Sequence, residues 1–223
     1  MDFISYNLLK HKAAHEVHSL VTSHHPAALC LQEVKVDTMP ENIGNMELAI
    51  GTTKNRLGLA VYVDKSKYEI KDTASFRLKD AHYDRIASPA HERLLGVRIK
   101  SLESGEEAVV GSFHASPLTA LNALRREQIR DGLEKLEALG EESPIIMIGD
   151  FNYPVFRERL TREMGERGYD LTTSDQHTYR HFRGAVSGFF DFAATKGFAE
   201  TTLRTLRQGV SDHLPILAHT QTA

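Results

Sequence analysis

The chain has 223 residues, of which 41 % are apolar and 26 % charged, enough for one substantial core and expected to form one catalytic domain over residues 1–223. No apolar stretch approaches the roughly 20 residues that span a bilayer, and the N-terminus lacks a charged-then-apolar signal pattern, so a cytoplasmic chain without membrane insertion is expected. A net charge of −3 excludes global attraction to nucleic acid or anionic membrane, and Cys30, the sole cysteine, excludes an intramolecular disulfide or a thiolate metal cluster.

Phe3 to Leu8 reads as a strand that delivers Asn7 near its end. Lys12 to Ser23 follows with helical spacing, placing Ala13, Val17, Leu20 and Val21 on one face. Ala27 to Gln32 is a continuous apolar strand run closed by Glu33. Further strands are expected at Leu48 to Gly51, Leu57 to Val63, Tyr68 to Leu78, Leu94 to Ile99 and Ala108 to His114. Leu118 to Leu139 is helical, with Leu121, Leu124, Ile129, Leu133 and Leu136 as its apolar stripe. The strand Ile145 to Gly149 runs into Asp150-Phe151-Asn152, and a helix is expected over Val155 to Arg167 with Phe156, Leu160 and Met164 inward. Phe189 to Thr195 and Leu214 to His219 close the set, while the polar stretches Asp37 to Asn45, Asp80 to His91 and Ser174 to Gly188 read as loops. Helices are too few for one per strand, so two stacked sheets with helices outside fit better than a doubly wound sheet.

Asn7, Glu33, His114, Asp150 and Asp212-His213 each fall at or beside a strand terminus, which is where chemistry, rather than packing, places polar groups. Asp150 and Asn152 lie two apart, so in extended chain both side chains share a direction. With Glu33 and Asp212 the candidate ligands are oxygens, which favours magnesium or manganese over zinc. His114 and His213 complete a set suited to phosphoryl transfer: metal to neutralise phosphate, base to activate water, donors for developing charge. A histidine in that role needs an acid to fix its tautomer, and Asp191, embedded in Phe189-Phe190-Asp191-Phe192, is the expected partner of His213.

Tyr6-Asn7, Leu31-Gln32-Glu33, Phe113-His114-Ala115, Gly149-Asp150-Phe151-Asn152, Phe190-Asp191-Phe192 and Ser211-Asp212-His213-Leu214-Pro215 occur in an order that resembles the endonuclease/exonuclease/phosphatase superfamily, the DNase I-like fold. Arg125 and Gln128 also look like family features. The resemblance implies an α/β fold, a four-layer α-β-β-α sandwich of two mixed sheets flanked by helices. It also implies metal-dependent hydrolysis of phosphoesters with Mg2+ or Mn2+. By motif, Glu33 would be the main metal ligand with Asn7 and Asp212 close by, and Asp150 would position or deprotonate the water. Asn152 would donate to phosphate, and His114 would contact phosphate or assist the leaving group. His213, paired with Asp191, would be the alternative base or a transition-state stabiliser.

A nuclease or phosphodiesterase acting on DNA or RNA is the favoured reading, with no obligate protein partner evident. The alternative is a phosphatase or phosphodiesterase for a small metabolite or lipid headgroup, and a remoter one is a silent binding protein on the same fold. Arg77 with Lys79, Arg85, Arg93, Arg204 and Arg207 are the cations that could meet a polyanion. The chain has no tryptophan, and Tyr83, Tyr153 and Tyr179 are its main loop aromatics, so platforms for stacking bases are sparse. His11, His15 and His18 share a helix face by spacing and read as a solvated face rather than a second metal site.

Overall fold

In the computed structural model, which describes residues 1–79, 91–140, 142–154, 157–181 and 186–222, the chain order is β1 (Asp2–Asn7), α1 (Val17–His24), β2 (Ala28–Val34), β3 (Asn42–Ile43), β4 (Met46–Gly51), β5 (Gly58–Asp64), β6 (Tyr68–Phe76), β7 (Leu94–Ser101), β8 (Glu107–His114), α2 (Asn122–Leu139), β9 (Ile145–Asp150), α3 (Arg157–Gly165), β10 (Asp170–Thr173), β11 (Tyr179–His181), β12 (Val186–Gly188), β13 (Asp191–Lys196), β14 (Phe198–Thr205) and β15 (Ile216–Thr222). One sheet has the order β14-β15-β1-β2-β5-β4-β3 and the other β10-β13-β9-β8-β7-β6, while β11 and β12 form a separate hairpin. Both sheets are mixed: β1–β2 and β8–β9 run parallel among otherwise antiparallel neighbours.

Strand periodicity explains the layering. Val110, Ile146 and Ile148 face the other sheet and pack with Phe3, Cys30, Val61 and Val97, whereas Val109, Ile145 and Met147 point outward onto α2 and α3. On the first sheet Ile4, Leu29, Leu31 and Tyr62 turn outward to meet Val17 and Val21 of α1. The result is the expected α-β-β-α sandwich, with β2, β8 and β9 buried on both faces and therefore written as largely apolar runs. Gly96 and Gly111 stand opposite each other in β7 and β8, and α2 sets Leu136 into the notch they leave; a Cβ on Gly111 would meet Leu136 Cδ1 at 2.5 Å.

Several expectations need correction. The Lys12 to Ser23 helix starts late: Ala14–Glu16 is a 3-10 turn and the α-helix begins at Val17. Leu9, Lys10 and His11 have positive φ, so His11 lies off the helix, its Nδ1 accepting from Lys35 N at 3.2 Å. The three histidines therefore share no helical face. Ser174 to Gly188 is not all loop, since it carries the β11–β12 hairpin, and Asp37 to Asn45 includes β3. Strand β14 escaped notice because its sequence, Phe198-Ala-Glu-Thr-Thr-Leu-Arg-Thr205, lies mostly exposed at a sheet edge and lacks an apolar run. The last strand starts at Ile216 because Pro215, which has no N–H, precedes it. Residues 80–90, with His82, Tyr83 and Arg85, and Val155 and Phe156 lie outside the described residues.

Candidate active site

Register brings the site together. His114 is opposite Asp150 across β8 and β9, and Asp150 is opposite Asp191 across β9 and β13, so three adjacent strands of one sheet end in a row of His, Asp and Asp. Gly149, just before, has φ 154°, and a Cβ there would lie 2.0 Å from the Phe113 carbonyl oxygen; only glycine lets β9 run this close to β8 before the acid.

Asp150 is 2 % exposed and is the hub of the site. Its Oδ1 accepts from the Asn152 backbone N–H at 2.9 Å, and its Oδ2 accepts from Asn7 Nδ2 at 3.2 Å, joining the two sheets. His114 Nε2 and His213 Nε2 lie 3.6 and 3.7 Å from that same Oδ2. His213 Nδ1 donates to Asp191 Oδ2 at 2.8 Å, so the expected pair exists as a buried contact. Burial works against charge on His213, but Asp191 and Asp150 outweigh it and push its pKa up to about 10. Burial raises the Asp150 carboxyl, with Asp191 adding to the rise and the two histidines opposing it. His213 thus lies between two acids that favour its protonated form.

Glu33 and Asn7 adjoin this group from the other sheet. Glu33 occupies a bulge in the β2–β5 pairing with φ 56°, a left-handed backbone that costs about 1–3 kcal/mol outside glycine and persists where surroundings over-determine it. Its Oε2 accepts the Lys10 backbone N–H at 2.7 Å. Among the described residues, its Oε1 has the Asn7 amide at 3.5 Å, too long for a strong bond. Asp212 is tied to the same end: Ser211 Oγ donates to the Asn7 carbonyl at 2.7 Å, and the Arg180 N–H donates to the Asp212 carbonyl at 2.7 Å. Glu33 and Asp212 offer carboxylates, and Asn7 an amide whose Oδ1 accepts the Leu9 N–H at 3.1 Å; oxygen donors of this type suit a hard divalent cation.

Among the described residues, the tightest cluster of ligand-type atoms is a different one, Asp150, Asp191 and His213, all within 4.8 Å of one another. The His213–Asp191 hydrogen bond and the Asn7 and Asn152 donors on Asp150 already consume much of its capacity, which suits proton handling better than a metal. Asn152, 8 % exposed with φ 48°, turns its amide to the Ala115 carbonyl at 3.4 Å beside His114.

The structure also gives positions and partners to residues to which motif reading assigned no role. Gln32 Nε2 donates to Ser5 Oγ at 3.0 Å and Ser112 Oγ at 3.3 Å, a polar tie between the sheets directly behind the site. Tyr6 OH donates to Glu16 Oε2 at 2.7 Å while Glu16 Oε1 accepts the Val210 N–H at 2.7 Å, fixing the segment before Asp212. Tyr179, read only as a loop aromatic, lies 5.0 Å ring to ring from His213 and 4.5 Å from Phe190. Buried polar residues flanking a strand-end motif were the one available signal. Of the candidate cations, Arg93 is buried and its guanidinium donates to the His114 carbonyl at 3.1 Å, and Lys79 is paired with Glu127 at 2.8 Å. Both serve the protein itself.

Comparison with known proteins bears on the fold and the family. Protein angel of Drosophila melanogaster is 29 % identical over 142 residues, which cover 57 % of this chain and 39 % of that relative, so the match spans well under half of the relative's length. The structure of an endonuclease/exonuclease/phosphatase from Bacteroides vulgatus superposes with a TM-score of 0.78 at 15 % identity, covering 100 % of this chain and 98 % of that one. D. rerio TDP2 complexed with a single-strand DNA product gives 0.72 at 14 % identity, covering 100 % and 99 %. At such identities the structural likeness speaks for the fold. The model of the Endonuclease/Exonuclease/phosphatase family matches residues 4–213, nearly the whole length, and the chain belongs to this family.

Proposed function

We propose that the protein is a divalent-metal-dependent phosphodiesterase that cleaves nucleic-acid strands by attack of water. The observation that carries the reading is the convergence of His114, Asp150 and Asp191 in one strand-end row with His213, Asn7 and Glu33 against it. Glu33, Asn7 and Asp212 would hold Mg2+ or Mn2+, which supplies charge neutralisation at the phosphate. Asp150, already an acceptor for the Asn152 N–H and the Asn7 amide, orients the attacking water and takes its proton. His213 has its Nδ1 proton committed to Asp191 and its Nε2 facing a carboxylate, so it is a charged donor to the phosphate oxygens rather than the base. His114, with its side chain 23 % exposed, is the site histidine open to solvent and meets the phosphate or the leaving oxygen. Asn152 donates its amide to phosphate once it leaves the Ala115 carbonyl.

The nucleic-acid assignment draws on TDP2, whose structure holds a DNA product, and on Tyr179 beside His213, a ring on which a base can stack. One observation favours a small phosphoester instead: Arg93 and Lys79 are engaged within the protein, which thins the cations left to track a polymer backbone. The deciding experiment is hydrolysis of single- and double-stranded DNA, RNA, bis-nitrophenyl phosphate and common phosphomonoesters, each with magnesium, manganese or chelator. Chelator-sensitive polymer cleavage that weakens steeply with salt is expected. Turnover confined to small esters moves the substrate to a metabolite, and turnover indifferent to chelator removes the metal.

A further inference from the structure

The segment Thr178–Arg180 lies against the two chain pieces that carry the Asp191–His213 pair. Its backbone brackets His213 on both sides: Leu214 N–H donates to the Thr178 carbonyl at 2.7 Å, Arg180 N–H donates to the Asp212 carbonyl at 2.7 Å, and Tyr179 pairs with His213 in a β-bridge. Its one wholly buried hydroxyl does the rest. Thr178 Oγ1 accepts from the backbone N–H of Phe190 at 3.0 Å and from that of Asp191 at 3.1 Å. A hydroxyl has two acceptor lone pairs, and both are used on consecutive amides at the start of β13. Burial makes those amides dependent on an acceptor, since an unpaired backbone N–H away from water is costly.

We infer that Thr178 is a positioning residue for the reaction, the joint that fixes Asp191 to His213 by holding the Asp191 backbone through its side chain and the His213 segment through its carbonyl. It touches no reacting atom. Its effect passes through the 2.8 Å contact between His213 Nδ1 and Asp191 Oδ2. Valine has nearly the shape of threonine without the acceptor, so Thr178→Val frees both amides and lets Asp191 drift from the imidazole, while Thr178→Ser keeps the acceptor. The inference rests on the proposed role of His213 for its catalytic consequence, though not for its geometry.

The test combines steady-state kinetics on bis-nitrophenyl phosphate with magnesium, proton NMR of the His213 Nδ1 hydrogen assigned by its absence in His213→Ala, and amide exchange at Phe190 and Asp191. For Thr178→Val, kcat is expected to fall about tenfold or more with KM within about twofold, and the Nδ1 resonance to move or broaden; Thr178→Ser restores both. A folded Thr178→Val with the parent's kcat and an unshifted resonance overturns the inference. If that variant fails to fold, the parent still decides, because Phe190 and Asp191 amides exchanging as fast as unprotected ones would equally overturn it. A parent without turnover counts against the proposed function alone, since the resonance and the exchange rates remain readable.

Discussion

The middle of the sandwich and its candidate catalytic end are built from the same strands, yet they are held by opposite means. Ile146 and Ile148 of β9 are fully buried among Val110, Val61 and Phe3, where each side chain contributes about 1.5–3 kcal/mol by leaving water. Two residues past Ile148, Asp150 is 2 % exposed and is surrounded by Asn7, His114, Asp191 and His213, where burial opposes the charge and only specific partners compensate. The core tolerates any apolar group of the right volume. The site depends on the direction of individual donors, and it contains the left-handed Glu33 and Asn152 that the core lacks. Stability resides in one region and function in the other.

The comparison breaks most visibly in the core. Ile146→Ala should cost about 2–5 kcal/mol in denaturant unfolding, while turnover per folded molecule stays at the parent value. A loss of turnover in the folded variant would mean that the two regions are coupled. In the site the pattern reverses: Asp150→Asn or His213→Ala should lower kcat by about a hundredfold or more. Asp150→Asn should also lower the melting temperature measured in chelator, because the Asn152 N–H and the Asn7 amide use both carboxylate oxygens and asparagine keeps only one acceptor. Parent-like kinetics in both variants would remove the assignment.

Glu33→Gln should leave the fold intact and raise the magnesium concentration for half-maximal activity by about tenfold, since it removes a charge from a set that Mg2+ uses sparingly. A superimposable magnesium titration would take Glu33 out of the metal site. The smallest effect lies away from both regions, at Glu137, which accepts from Lys196 Nζ at 2.6 Å and Tyr169 OH at 2.7 Å. The Lys196 hydrogen bond, then that of Tyr169, hold its carboxyl below the ordinary range, so its contribution is present above the ordinary pKa of about 4.3 and is lost as pH falls through the lower folded value. Glu137→Gln should therefore melt slightly below the parent at pH 7 and match it once the pH is below that folded value. A difference that persists in acid would point to packing instead.

Much of this was legible from residue order alone. Continuous apolar runs such as Ile145 to Ile148 and Ala28 to Leu31 announce strands buried on both faces, because only such strands can be apolar at both parities. The polar residues closing those runs announce a site, since a buried charge at a strand end needs a chemical reason, and six short motifs in one order named the family. What the chain alone could not show follows from interactions that leave no periodic trace. The β11–β12 hairpin and edge strand β14 are made by pairing rather than by apolar pattern, so their sequences look like loop. The left-handed backbone at Glu33 and the off-helix placement of His11 depend on partners 23 and 24 residues away, Lys10 N–H for one and Lys35 N–H for the other. Residue types and their order thus determined the fold class and the cast of the site. Register across β8, β9 and β13, together with the tie from Asn7 to Asp150, decided which of those side chains meet, because contact between separated segments is a property of three-dimensional pairing that no local stretch encodes.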